Sequence, residues 1–275
     1  MSTKKAKKID KKLRTAIQRR KERHFLSRLT GNHLEISRAE CAAVMEILGD
    51  SRTLESAIKL VSDATERGEY LVAEILEEDP PREPIACKQG CAFCCHFPLD
   101  VTPPEIICMA EFLRKKLPGE ELAAVRRRAA ELAKKTWGMS TTERTGSGVP
   151  CALLVDNLCS VYPVRPLLCR GWNSLEIQAC QSAYETGDIE SAIPRYLPQS
   201  QIMFLVQLGM MAGLHASGFR PMLLESTAAL RIALENRGAA EQWLEHKPVF
   251  SPAQSKQKFQ YTSRFWEKFY PQQGD

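Results

Sequence analysis

Cysteine is the residue type in this 275-residue chain whose number and spacing can do chemistry: there are ten. Eight of them fall in two groups, Cys87-x3-Cys91-x2-Cys94-Cys95 and Cys151-x7-Cys159-x9-Cys169-x10-Cys180. A thiolate is a soft, charged ligand suited to zinc or iron–sulfur centres, and spacings of two or three residues let one loop turn several sulfurs toward one point. Gly90 supplies flexibility for such a turn, and Pro84 and Pro98 bracket it. Neighbouring side chains diverge, so the vicinal pair Cys94-Cys95 is expected to split. One sulfur would then face a second metal, a cluster iron or the second cysteine group. Four thiolates leave a zinc ion or an iron–sulfur core with net negative charge, which calls for cations or N–H donors close by. Arg165 and Arg170 flank Cys169 and are the candidates for that role. A redox dithiol made of Cys91 and Cys94 is a minor alternative, because no thioredoxin-like βαβ pattern surrounds it.

The compartment decides between metal and disulfide. The chain opens Met1-Ser2-Thr3-Lys4-Lys5 without the apolar run of a secretory signal, so a cytoplasmic location with reduced thiols is expected. The most apolar stretch, 202–216, is shorter than a membrane span and is interrupted by Gln207, Gly209, Gly213 and His215. It reads as a buried core helix, and no transmembrane segment is expected. A composition of 44% hydrophobic and 26% charged residues permits a sizeable core and excludes a disordered, collagenous or coiled-coil chain.

The elements that position the cysteines read as mainly α. Ser37 is placed to cap a helix carrying Cys41, Val44 and Leu48, and apolar residues at Leu54, Ile58, Val61, Leu71 and Ile75 continue the helical spacing. Pro80, Pro81 and Pro84 end that region. Thr102-Pro103-Pro104-Glu105 is a capping-box helix start, with the helix expected to run to about Lys116; a second follows Pro118-Gly119 and ends near Trp137. A Ser/Thr/Gly-rich loop is expected over 139–149. Two short apolar runs around Asp156-Asn157 predict a tight β-hairpin. Helices are expected over 174–184, 199–217, 222–236 and 239–246, and the aromatic tail with Phe259, Phe265, Trp266 and Phe269 is expected to dock on the body. The organisation is a basic arm (1–35), a helical segment (36–80), a cysteine-cluster metal-binding domain (81–185), C-terminal helices (186–250) and a tail (251–275). The fold class is a mainly α-helical protein around a cysteine-rich core with one short hairpin.

Other residues weigh less. Cys41 and Cys108 sit on apolar helical faces and read as core thiols, and His96 as a neighbour of the centre or a surface residue. Among Asp100, Glu105 and Glu111, Glu105 is explained by capping, so no acid–base pair is assigned. No Walker or Rossmann glycine loop, GxSxG elbow or HExxH helix is present. The formal net charge of +5 is concentrated at the start of the chain, where residues 1–30 hold twelve Lys and Arg against Asp10 and Glu22. Residues 4–28 are therefore a candidate attachment to an anionic partner such as nucleic acid, although Phe25 is the one Phe, Tyr or Trp there for base stacking.

The first cysteine group, together with Cys151-Ala-Leu-Leu, Cys159-Ser-Val-Tyr162 and Arg165-Pro166-Leu-Leu-Cys169-Arg170-Gly171, resembles the YkgJ-type cysteine-cluster family, described as a zinc- or iron-chelating domain. The resemblance spans about residues 87–180. It departs at Ala152, where the family commonly has proline, and at Asn157, where it commonly has glycine. The flagellin lysine-methylase family is similar in the same pattern, which implies an iron–sulfur cluster and, more distantly, alkyl transfer. The expected function is metal binding through Cys87, Cys91, Cys94, Cys95, Cys151, Cys159, Cys169 and Cys180, by zinc or an iron–sulfur cluster. The vicinal pair and the second resemblance favour the cluster. An iron–sulfur enzyme of electron or alkyl transfer and a nucleic-acid-associated protein are the alternatives.

Overall fold

The computed structural model describes residues 29, 31–188, 193–255 and 261–271. The basic segment 4–28 and Phe259 lie outside the described residues. Two long helices, α1 (Gly31–Asp50) and α2 (Leu54–Glu78), lead into the cysteine-rich stretch. A 3₁₀ turn over Phe93–His96 and strand β1 (Asp100–Val101) precede α3 (Pro103–Lys116), α4 (Gly119–Thr136) and the short α5 (Thr141–Gly146). The hairpin of β2 (Leu154–Val155) and β3 (Leu158–Cys159) is followed by α6 (Leu167–Gly171), α7 (Ile177–Thr186) and α8 (Leu197–Ala216). Strand β4 (Leu224–Glu225), α9 (Ser226–Glu235), α10 (Ala239–Leu244) and α11 (Ser263–Trp266) complete the order. The architecture is mainly α, as the periodicity predicts, and no described helix is long and apolar enough to cross a membrane.

Helix α8 is the central post. Its apolar residues leave no polar stripe, and Ile202, Met203, Leu205, Val206, Leu208, Met210, Met211 and Leu214 are all buried. A helix apolar on every side has to be covered on every side, and α1, α2, α6 and α11 do so. The contact with α1 is close enough to require glycine. A Cβ on Gly209 would lie 2.4 Å from the Ser37 carbonyl oxygen, and one on Gly213 would lie 2.5 Å from Val44 Cβ. Ser37 is therefore no helix cap. Helix α1 begins six residues earlier, and the buried Ser37 hydroxyl donates to the Leu205 carbonyl across this crossing at 2.9 Å. Beside the same crossing, Glu40, whose Cβ also abuts Gly209, accepts from Arg67 of α2 at 2.8 Å.

The capping box at the start of α3 does more than start a helix. Glu105 accepts from the Thr102 amide at 2.7 Å and from its hydroxyl at 2.8 Å, but its other oxygen accepts the Leu167 amide at 2.9 Å. Gln207 of α8 donates to it at 3.2 Å. One buried carboxylate thus joins the first turns of α3 and α6 to α8, and burial raises its pKa against those four donors. Because α6 carries Cys169, the position of that cysteine is set from Glu105.

The hairpin forms where expected, with Asp156 at φ 50° and Asn157 at φ 61° giving the left-handed pair that a two-residue turn demands. Two expectations are corrected. Residues 141–146 form α5, capped by Ser140 and Glu143, and bury Arg144 and Thr145 rather than standing as a loop. A second antiparallel pair, β1 with β4, aligns Asp100 with Glu225 and Val101 with Leu224. The tail docks as predicted: Phe265, Trp266 and Phe269 are buried in a cluster with Cys41, Leu205 and Leu208.

The α1–α8 crossing makes a test. Gly209→Ala is expected to destabilise the chain by about 1–3 kcal/mol through overpacking, whereas Gly119→Ala, with nothing within 4 Å of the added carbon, should stay within about 0.5 kcal/mol of the parent. Urea denaturation measures both; equal midpoints would contradict the close approach.

Candidate metal centre

The first cysteine group is a run of tight turns. Gly90 takes φ 85°, the Cys91 amide donates to the Lys88 carbonyl at 3.0 Å, and the Cys95 amide donates to the Ala92 carbonyl at 3.0 Å. The second group reaches it through the backbone, where the Cys151 amide donates to the Cys95 carbonyl at 2.7 Å. The hairpin then returns Cys159 opposite Leu154. Arg128 Nε of α4 donates to the Ala152 carbonyl at 2.5 Å, which fixes the start of the hairpin without the proline common at that position in the resembled family. Cys169 arrives on α6, whose Gly171 packs on α8 so closely that a Cβ there would meet Met203 Cβ at 2.9 Å.

Cys95, Cys151, Cys159 and Cys169 are thereby gathered on the wall of one cavity of about 760 Å³, with Cys91 and Cys94 also on that wall. Cys151 and Cys169 are half-buried and line this cavity. Burial pushes the Cys151 thiol up to about 12, and the nearby Cys95 and Cys159 add to it while Arg144 opposes. Cys169 is raised further by burial and by Cys151, Cys95 and Cys159. The Cys95 thiol is raised first by its hydrogen bond with the Cys94 side chain and then by burial, with Arg165 opposing. The two vicinal side chains therefore lie near enough to influence each other's ionisation.

The donor set fits a metal. Backbone amides two residues on donate to the sulfurs of Cys151 (from Leu153) and Cys159 (from Val161), and the Ser174 amide donates to that of Cys87. Such N–H···S bonds stabilise thiolate and tune a bound centre. Three buried donors on the cavity wall lack an acceptor: Arg144 Nε, Arg165 Nε and Trp172 Nε1. Orphaned donors beside thiols suit an anionic tetrathiolate site. The sulfurs line the cavity without closing on one point: among the described residues, no three Cys, His, Asp or Glu side chains form a group that would hold a lone ion.

The arginines divide their work. Arg165 opposes the rise of the Cys87, Cys95 and Cys159 thiols and lies over the Tyr162 ring at 4.2 Å. Arg170 pairs with Glu69 and donates to the Arg165 and Pro163 carbonyls at 3.0 and 2.5 Å, which holds the loop that carries Arg165. Sequence reasoning missed Arg144, Trp172 and Arg195. Arg144 donates to the His96 carbonyl at 3.1 Å, and Arg195 lies over Trp172 at 5.0 Å. No spacing rule marks residues that meet the site only through tertiary packing. His96 Nδ1 lies 3.1 Å from the Ala92 carbonyl and its ring packs on Tyr184, while Cys41 and Cys108 are buried in the core.

Residues 86–186 match the family model CxxCxxCC, whose description is "Putative zinc- or iron-chelating domain". The match covers both cysteine groups, with Arg165 and Arg170, and agrees with the cysteine-cluster resemblance of the sequence. It supports chelation of zinc or iron by this segment. No curated protein and no solved structure matches the chain.

Asp100 also lines the cavity, where burial raises its carboxyl to about 6, with Glu225 adding to the rise and a hydrogen bond with Ser255 opposing it. A carboxyl with a raised folded pKa binds its proton more tightly in the native state. Stability therefore falls as pH climbs from the unfolded value near 3.8 to about 6 and is flat above. Asp100→Asn is expected to be more stable than the parent at pH 7.5, by up to about 2 kcal/mol, and to converge with it near pH 4. Thermal melts across that range check this, and a gap that widens on acidification would contradict it.

Proposed function

We propose that the protein holds an iron–sulfur cluster on the cysteines of its cavity wall, with Cys95, Cys151, Cys159 and Cys169 as the ligands nearest the hairpin. The observation that carries this reading is the arrangement of those four thiols: they approach one another closely enough to shift each other's ionisation, yet they ring a cavity instead of converging. A single zinc ion bound at about 2.3 Å needs its sulfurs within about 4 Å of one another. A polynuclear core accepts a wider ring. The backbone N–H···S bonds from Leu153 and Val161 and the unpaired donors of Arg144, Arg165 and Trp172 supply the compensation that an anionic cluster needs. When bound, a cluster supplies electron-transfer or Lewis-acid chemistry. The chain's own part is to fix the sulfurs, donate hydrogen bonds to them and shield them with Phe97, Leu153 and Trp172.

A second reading, that the centre belongs to an enzyme, is favoured by the size of the cavity. At about 760 Å³ it exceeds what a cluster occupies and is within the range of small-molecule sites. Its remaining walls are mostly apolar, with Asp100, Glu225 and Thr227 among the polar residues that line it. A closed structural site needs no such room.

Purification without oxygen, followed by iron, zinc and acid-labile sulfide analysis with a visible spectrum, tests the proposal. Iron with sulfide and a brown colour are expected. Cys169→Ser should lose most of the metal and several kcal/mol of stability together, because filling the site is part of folding, while Cys41→Ser should keep its metal. Colourless protein carrying zinc without sulfide would refute the cluster, and metal-free protein would refute the whole reading.

A further inference from the structure

The cavity that gathers the thiols is also lined by four basic side chains, Lys88, Arg144, Arg165 and Arg195. Lys88 is exposed to solvent, Arg144 donates to the His96 and Val149 carbonyls, and Arg165, stacked on Tyr162, offsets the charge of the thiols. Arg195 is different. Among the described residues its guanidinium has no carboxylate or carbonyl to bond, and it lies over the Trp172 ring at 5.0 Å.

The backbone around it is nevertheless fixed. The Tyr196 amide donates to Asn173 Oδ1 at 2.7 Å, Asn173 Nδ2 donates to the Tyr196 carbonyl at 2.9 Å, and the Leu175 amide donates to the Pro194 carbonyl at 2.9 Å. Asn173 is fully buried, and the Tyr196 hydroxyl donates to the Asp79 carbonyl at 2.7 Å. The stretch with Trp172 and the stretch with Arg195 are therefore tied side by side, and the ring beneath the guanidinium is itself held edge to face by Phe97 at 5.8 Å. A guanidinium lying on an aromatic ring gives the ring its face and keeps its N–H edge free. That edge matches the oxygen pair of a carboxylate or phosphate.

The two carboxyl groups on the same cavity wall do not take that edge. Glu225 accepts from the Thr227 and Ala228 amides at 3.2 and 2.7 Å, and Asp100 shares a hydrogen bond with Ser255. They also restrict what can enter. A second anionic group would meet Asp100 and Glu225 in the same space, whereas Phe97, Met109, Leu154, Leu158 and Leu168 offer apolar walls. Resting on the reading of the centre as part of an enzyme, we propose that this cavity is the substrate site and that Arg195 binds the single anionic group, carboxylate or phosphate, of a small molecule whose remaining body is apolar. Trp172 is the platform that presents the guanidinium, and Asn173 positions both.

Calorimetric titration of the anaerobically purified full-length chain tests this, with phenylacetate, phenylphosphate and the uncharged phenylacetamide as probes. At least one anion should bind about tenfold more tightly than the amide, as a charge-assisted hydrogen bond requires. The tighter of the two identifies carboxylate or phosphate as the group. Arg195→Met keeps an apolar stem over Trp172 and removes the fork. It should weaken the preferred anion about tenfold and the amide by less than about threefold, with metal per chain and the visible spectrum as in the parent. Anions that bind no better than the amide, or an Arg195→Met chain that retains the preference, overturn the assignment. Loss of metal from Arg195→Met overturns it as well, since the guanidinium would then serve the metal centre. Should that variant fail to fold, Arg195→Lys, which keeps the charge and loses the fork, takes its place; it should bind the anion more weakly than the parent and keep its metal, and parent-like affinity overturns the proposal. A parent that carries metal and shows no preference for an anion refutes this inference alone, whereas a parent without metal that still prefers the anion refutes the metal reading and leaves the anion site.

Discussion

The structure depends on one electrostatic constraint. Four thiols from three separate elements are brought to one cavity wall, where burial and mutual proximity hold Cys151 and Cys169 well above the usual thiol range. A thiol must ionise to bind metal, and crowding several together opposes ionisation. Arg144, Arg165 and the backbone N–H donors offset part of that penalty, and a bound cation would offset the rest, so the cost of assembling the ring and the affinity for metal are two sides of one balance.

The frame around the ring is built to bear this load. Glu105 ties α6 to α3 and α8 and so sets Cys169, and Arg128 of α4 fixes the backbone beside Cys151 through the Ala152 carbonyl. Arg170 holds the loop of Arg165, and Gln199 of α8 in turn donates to the Arg170 carbonyl at 2.7 Å. Asn173 bonds the Gly171 and Tyr196 carbonyls from the interior. These contacts use side chains whose geometry is locked by packing, the condition for holding ligands at fixed distances. The helices before and after the cysteine region share one hydrophobic core with it, from Val44 to Ala253, and are its scaffold.

Much of this was legible in the sequence for reasons that are local. The cysteine spacing, the Thr102 to Glu105 capping box, the Asp156-Asn157 turn and the helical periodicity of α3, α4 and α8 each depend on neighbours within a few residues. What escaped depends on tertiary contact. Ser37 has a cap's chemistry, but its hydroxyl serves the α1–α8 crossing. The two-residue strands β1 and β4 are too short to show alternation and exist because Asp100 and Glu225 are brought together from 125 residues apart. The α5 helix is specified by a capping box in a polar stretch whose composition argues for a loop. Arg144, Trp172 and Arg195 carry no motif, and only folding shows that they line the same cavity as the thiols.

X-ray absorption at the metal edge of the anaerobically isolated chain tests the central claim most directly. A first shell of sulfur alone, with a short metal–metal vector behind it, is the result expected of thiols that ring a polynuclear core. A shell of mixed oxygen and nitrogen, or a lone metal with no metal neighbour, would contradict it.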